Sequence, residues 1–397
     1  MEMAHKPKGM KKVVAILTSQ QKSIVILFLV IIVINVSSTI FGTGDTYTRK
    51  DFWQRFSNLK VSYETSQYVS KHPKGWIPDE IVNAYAGGAY VRGVSPIFIG
   101  ADTPPLGRYF IGLSAVLFEN ENTANLLFAI GSLILIYAVA RKVCKTTIAS
   151  LIPVVFFSTE PIFKNQLIYT PLLDIIQLFF LLSFFYIFIL AFENKKRQIR
   201  YFAIASLLLG AFISVKFFAT GITLVAASVS LLLIYKRFRA AVSYVFTLIL
   251  SIGVLLLSYV NTLFTGTGIS NYLGIQKWVF LYHKSQLILP FSIWSLLLLN
   301  KWYVWWGDKP VIADNQWQIT WPIITIGAIL IGIFILIKRL PRSPLVELLL
   351  LWSGFYLLFF SFGQITSRYL VILLPIFYII NAYGVENVIT AMLKRRS

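Results

Sequence analysis

What most restricts the fold of this chain is a recurrence of apolar runs, each close to the length of a membrane span and set apart by short polar or basic stretches. About 20 consecutive apolar residues cross a bilayer as a helix, and within hydrocarbon only helices and closed barrels satisfy their own backbone hydrogen bonds. The runs cover 24–41, 122–140, 146–161, 168–192, 201–216, 218–235, 240–264, 319–337, 345–362 and 369–393. They predict an all-α polytopic membrane protein, a single domain over 1–397 with about ten transmembrane helices. The 201–235 stretch is too long for one span and carries Lys216 near its middle, so it reads as a hairpin turning near 218–221. Composition agrees: 57% of the residues are hydrophobic and 13% charged, against about 25% charged in a soluble domain. The 24–41 run is long enough to span and no small-residue cleavage site follows it, so no cleavable signal peptide is expected.

The formal net charge of +20 does not point to nucleic acid, because the cations sit in short clusters between apolar runs. These are Lys6, Lys8, Lys11 and Lys12; Arg141, Lys142 and Lys145; Lys195, Lys196, Arg197 and Arg200; Lys236, Arg237 and Arg239; Lys338, Arg339 and Arg342; and Lys394, Arg395 and Arg396. They recur at every second boundary, as the positive-inside rule requires, and put both termini in the cytoplasm. Two long polar segments, 42–121 and 265–318, then face outward, and the short loops favour a prokaryotic plasma membrane. The lone Cys144 excludes an intramolecular disulfide, and His5, His72 and His283 are too scattered to suggest a metal site.

Candidate chemistry concentrates in the first outer segment, where PDEIVNAYAGGAYVRGVSPIFIGADTPPLGRY runs from Pro78 to Tyr109. Asp79 and Glu80 open a helical stretch with an Ala/Gly-rich face suited to lying on the membrane, and Asp79 after Pro78 also reads as a helix N-cap. Asp102 lies past the far end of that stretch, before Pro104 and Pro105, which halt any helix. Carboxylates from both ends are thus candidates to converge. Residues 108–118 are short for a span and read as a juxtamembrane helix. Lys216, at the outer turn of its hairpin, and Arg368, at the start of the last span, are either snorkelling cations or ligands for an anionic lipid phosphate. Asp174 follows Pro171 near the outer end of a span, where an acid is costly enough to favour a functional role. Trp278, Tyr282, Trp294, Trp302, Trp305 and Trp306 make the second outer segment either an interfacial belt or part of a groove for sugar and lipid.

The order of an outer Asp-Glu after the first span and then D-T-P-P-L-G-R resembles the GT-C glycosyltransferases, in the branch of the protein O-mannosyltransferases and lipid A aminoarabinose transferases. FENENTANLLFAIGSLILIYAVARKV, TPLLDIIQLFF, GAFISVKFFATG, LPFSIWSLLLLNKWYVWW and SRYLVILLPIF resemble later elements of that branch in the same order. The chain departs from it at Thr103, where many relatives carry histidine, and in the insertion over 43–78.

The resemblance implies transfer of a sugar from a polyprenyl-phosphate donor to a hydroxyl acceptor on the outer face of the bilayer, without a nucleotide-binding loop. It assigns Asp79 as general base, with Glu80 and Asp102 beside it as catalytic candidates. Arg92, Arg108, Lys216 and Arg368 become the candidates to offset charge on the lipid phosphate. No cofactor is demanded; should a divalent ion (Mg or Mn) take part, Asp79, Glu80, Asp102 and Asp174 are its oxygen ligands. The alternative is a lipid-linked glycan flippase, polymerase or transporter. It shares the many spans and basic loops, but this chain lacks an obvious internal repeat and keeps its carboxylates mainly in the outer loops.

Overall fold

The computed structural model describes residues 8–70, 72–217, 219–264, 268–285, 289–304, 308 and 310–396. Side chains are described from residue 21 to 393, apart from stretches at 265–269, 282–288 and a few neighbouring positions, so His5, Tyr282, His283, Trp305 and Trp306 lie outside the described side chains.

The chain is helical almost throughout. Helix α1 (Lys8–Gly42) leads to α2 (Phe52–Glu64), α3 (Asp79–Val91) and α4 (Leu106–Phe118), which together form the first polar segment. Next come α5 (Thr123–Val143), α6 (Thr147–Thr159), α7 (Pro161–Ile168), α8 (Asp174–Glu193), α9 (Gln198–Val215) and α10 (Thr220–Ile234). A segmented rod of α11 (Phe238–Thr247), α12 (Ile249–Ser258) and α13 (Val260–Phe264) precedes α14 (Gly268–Ser285) and α15 (Ser292–Leu299). A small antiparallel hairpin then pairs β1 (Trp302–Tyr303) with β2 (Val311–Ile312). The chain closes with α16 (Thr320–Leu336), α17 (Pro344–Phe360), a 3₁₀ turn over Ser367–Ile372 and α18 (Leu374–Arg396).

Six helical stretches are long and apolar enough to cross a membrane: Gln21–Gly42, Thr123–Val143, Asp174–Glu193, Lys195–Val215, Phe238–Ser258 and Ser367–Leu393. A seventh is the pair α6 and α7, bent by 58° between them. The other three expected spans are the shorter apolar helices α10, α16 and α17. The all-α polytopic expectation therefore holds, with several spans broken or shorter than the apolar runs suggested.

Helix α8 occupies the centre because it is apolar all round, the pattern of a helix without a solvent face. Phe184, Phe185 and Phe188 are fully buried. Phe185 meets Trp352 of α17 edge-on at 5.5 Å, and Phe188 meets Tyr244 of α11 at 5.2 Å. The break between α6 and α7 is held by Glu160, a buried carboxylate. It accepts hydrogen bonds from Thr320 (3.1 Å), from Trp321 Nε1 (3.0 Å) and from the Tyr378 hydroxyl, so that α16 and α18 are fastened to the bend.

The Ala/Gly face of α3 does not lie on a membrane surface. It packs against α4 so closely that a Cβ on Gly112 would stand 2.1 Å from the Gly87 carbonyl oxygen, and one on Gly87 would stand 2.7 Å from that of Arg108. Residues without Cβ are what permit this backbone approach. The expected juxtamembrane helix is thus α4, clasped to α3 below a cover made by α2, whose Phe52, Leu59 and Tyr63 are buried.

Candidate active site

Asp79 is the first residue of α3, with Pro78 in the capping position, and its side chain caps no backbone N–H. The N-cap expectation is corrected: the carboxylate turns away to accept from the Tyr68 hydroxyl on Oδ1 (3.0 Å) and from Arg368 Nη2 on Oδ2 (2.6 Å). Tyr68 comes from the 43–78 insertion. It stacks on Tyr63 of α2, with ring centroids 6.3 Å apart. Its loop is closed by Gln67, which donates to the Ile77 carbonyl (2.8 Å) and accepts from the Ile77 N–H (3.0 Å). Burial pushes the Asp79 carboxyl up, but Arg368, then Lys216, together with the Tyr68 hydrogen bond, outweigh it and hold the group below the usual carboxylate value.

Asp102 is placed by Arg108, a buried guanidinium on α4. Its Nε donates to Asn83 Oδ1 (3.0 Å), its Nη1 donates to the Gly100 carbonyl, and its Nη2 lies 3.6 Å from Asp102 Oδ1. Gly100 adopts φ +59°, and a Cβ there would fall 2.4 Å from Arg108 Nη1, so both backbone and space require glycine. Gly100→Ala is expected to cost about 1–3 kcal/mol and to lower the thermal midpoint in detergent. An unchanged midpoint would show that Arg108 yields freely. Asn83 Nδ2 also donates to the Pro171 carbonyl (3.1 Å), and Asn125 Nδ2 donates to that of Leu172 (2.8 Å), which fixes the approach to Asp174.

Asp174 opens α8, and Lys216 caps the C-terminal end of α9. The two helices are antiparallel neighbours, so the start of one meets the end of the other. Each charge also has the sign its helix end favours. Lys216 Nζ donates to Asp174 Oδ1 in a buried ion pair and lies 4.8 Å from the centre of the Tyr369 ring.

Asp79, Asn83, Asp102, Arg108, Asp174, Lys216 and Arg368 all line one small polar pocket of about 40 Å³. Asp102 and Lys216 also form one wall of a second cavity of about 210 Å³. The rest of that cavity is mainly apolar, with Val279 and Phe280 of α14 and Phe359 and Phe360 of α17. A charged chamber and an apolar chamber thus meet at an aspartate and a lysine.

Two candidates, Arg92 and Glu80, lie outside the pocket. Arg92 ends α3, at the opposite pole from Asp79 and about 20 Å along the helix axis. Its guanidinium stacks over Trp53 and Phe56, 4.1 and 4.4 Å from the ring centres. Arg108 spends its donors on Asn83 and Gly100, so it shapes the pocket wall. Glu80, one residue round the helix from Asp79, does not line the pocket, and burial raises its carboxyl. Of the four carboxylates proposed for a divalent ion, Asp79, Asp102 and Asp174 line the pocket and Glu80 does not, and among the described residues no three Asp, Glu, His or Cys side chains form a metal-binding group. Asp79, Asp102 and Asp174 each face a cation of the protein instead, and this donor set does not fit a divalent ion. In the 265–318 segment, Trp294 donates to Ser361 Oγ (2.9 Å) and Trp302 to the Ile365 carbonyl (2.9 Å). These tryptophans brace the turn that leads to Arg368, while α14 reaches the cavity through Gln276, Val279 and Phe280. Sequence reasoning passed over Asn83 and the Tyr68 contact; neither carries a motif, and both act through chain segments distant from their partners.

The family model described as dolichyl-phosphate-mannose-protein mannosyltransferase matches residues 102–264. Among solved structures, the archaeal oligosaccharyltransferase AglB from Archaeoglobus fulgidus, in complex with an inhibitory peptide and a dolichol-phosphate, is similar at 14% identity and TM-score 0.46, over 95% of this chain and 51% of that one. The A. fulgidus oligosaccharyltransferase in complex with Zn and sulfate is similar at 13% identity and TM-score 0.49, over 94% of this chain and 50% of that one. The chain therefore spans about half the length of these structures. No curated protein matches it. The resemblance to the GT-C glycosyltransferases is borne out over the segment that carries Asp102, Arg108, Asp174 and Lys216, since residues 102–264 match a GT-C mannosyltransferase family.

Proposed function

We propose that this protein is a membrane glycosyltransferase that moves a sugar from a polyprenyl-phosphate donor to an acceptor hydroxyl, with inversion at the anomeric carbon. The observation that carries the reading is the junction of the two chambers. An apolar cavity suits the lipid chain, Lys216 at the junction suits the phosphate, and the pocket beyond it holds Asp79 where a sugar and an acceptor would meet.

In the reaction, the Asp79 carboxylate takes the proton of the acceptor hydroxyl as that oxygen bonds to the anomeric carbon from the face opposite the phosphate. The bond from anomeric carbon to phosphate oxygen breaks, and its electron pair stays on the departing lipid phosphate. Lys216 and Arg368 offset that charge, held in place by Asp174 and Asp79 so that little reorganisation is needed. The test is transfer by the purified full chain from a panel of radiolabelled polyprenyl-phosphate sugars to a membrane-extract acceptor. If donors bind and none is consumed, the enzyme reading fails and the flippase reading replaces it.

The depressed Asp79 carboxyl sets a pH window. With its carboxyl held below the ordinary carboxylate value by Arg368 and Lys216, Asp79 places the acid limb of kcat/KM on the acid side of that ordinary value. The same depression contributes stability that is present above the unfolded carboxylate pKa of about 3.9 and is lost as pH falls through the folded value. Tyr68→Phe and Arg368→Gln each remove a group that lowers this pKa. Both are expected to move the acid limb to higher pH, Arg368→Gln further. Limbs that stay in place in both variants would remove Asp79 from the role of base.

A further inference from the structure

A second groove runs up the outside of the bundle between α10, α16 and α17, with a volume of about 580 Å³. It follows α17 from Glu347 to Leu358, twelve residues whose eleven steps rise about 16 Å. That is about half the ~30 Å hydrocarbon thickness of a bilayer, the depth of one leaflet. Its room comes from missing side chains: a Cβ on Gly354 would meet nothing within 4 Å, and one on Gly332 would meet only the Leu350 side chain, at 3.5 Å. Ile335 and Leu336 close the α16 side.

The groove ends in charge at the pole of α17 away from Arg368. Arg342 binds Glu347 through two hydrogen bonds of 2.6 and 2.8 Å, and Tyr235 donates to the same carboxylate (3.3 Å). Lys338 lines the groove, while Arg339 follows it on the same connection; both are exposed. Lys338 sits at the end of α16 with φ +59°. Three cations against one carboxylate leave the mouth positive, beside an apolar channel one leaflet deep.

We propose that this groove is a binding site for an anionic glycerophospholipid, whose phosphodiester rests on Lys338 and Arg342 and whose acyl chain lies along α17 over Gly354. Basic pockets between membrane helices take such head groups, and the depth of the groove suits one acyl chain rather than a long polyprenyl chain. The site is separate from the polar pocket, so it stands whether or not the glycosyltransferase reading does.

Native mass spectrometry of the delipidated full chain in detergent tests this, with phosphatidylglycerol and phosphatidylcholine of identical acyl chains. Phosphatidylglycerol is expected to be retained about tenfold better. Retention is expected to fall several-fold both in Lys338→Gln, an exposed change, and in Gly354→Leu, which fills the channel, but not in Arg92→Gln at the far end of α3. Equal retention of the two lipids, or retention unchanged in both groove variants, overturns the proposal. So does displacement of phosphatidylglycerol by polyprenyl phosphate, which would make the groove a second site for the donor lipid.

Discussion

Asp79→Asn is expected to reduce sugar transfer by a factor of about 10² to 10⁴, the range typical for loss of a general base, with donor binding retained. The substitution is nearly isosteric and removes the carboxylate proposed to take the acceptor proton. Tyr68 can still donate to the amide oxygen, so the loop over α3 keeps its anchor. Arg368 loses its charged partner, however, and its guanidinium becomes more available to the lipid phosphate. Donor affinity is therefore expected to hold or rise while kcat falls, a split that a merely structural role for Asp79 would not produce. Glu80→Gln serves as the neighbouring control and is expected to change kcat by less than about tenfold, because Glu80 does not line the pocket. Parallel measurement of donor binding and single-turnover transfer decides the matter. Normal transfer by Asp79→Asn would pass the role of base to another group.

The second large effect is on stability. Lys216 and Asp174 are both buried, and removing one member of such a pair leaves a charge without a counterion. Lys216→Met is expected to cost about 3–5 kcal/mol, seen as a drop in the thermal midpoint, because ionised Asp174 is then stranded at the head of α8. Asp174→Asn on top of it removes the stranded charge and is expected to restore most of the loss. The double variant then separates the two roles of the lysine. It folds, but lacks the ammonium between the chambers, so donor binding is expected to stay weak after stability has returned. If donor affinity returned together with the midpoint, Lys216 would be a structural cation and no phosphate ligand.

The helical framework was legible because hydrocarbon leaves few alternatives: every apolar run is helical, though 146–161 and 240–264 break within or at their ends, and the long 201–235 stretch divided where Lys216 demanded it. The Asp174–Lys216 pair was nearly legible too, since an acid opening one span and a lysine ending the next are neighbours whenever the two spans are antiparallel. The contact of Asp79 with Arg368 crosses 289 positions, and no local pattern encodes a pairing of that range. Arg92 misled because proximity in sequence suggests proximity in space, whereas thirteen residues of helix carry the two ends of α3 to opposite poles. Arg108 shows a different limit: sequence places a guanidinium beside the loop without showing that it is buried and donates to Asn83 and the Gly100 carbonyl. Sequence counts carboxylates without showing the cation that Asp79, Asp102 and Asp174 each face.

The carboxylate at the bend between α6 and α7 also has a bearing on biosynthesis. Glu160 depends on donors from Thr320, Trp321 and Tyr378, the last of them 218 residues further along the chain. A chain inserted in the order of its synthesis carries that acid into the bilayer long before any of its partners has been made, and an unpartnered acid among lipid tails is costly. The bend can therefore be fastened fully only after α18 has been made, and a chain that ends before Tyr378 lacks one of its three ties.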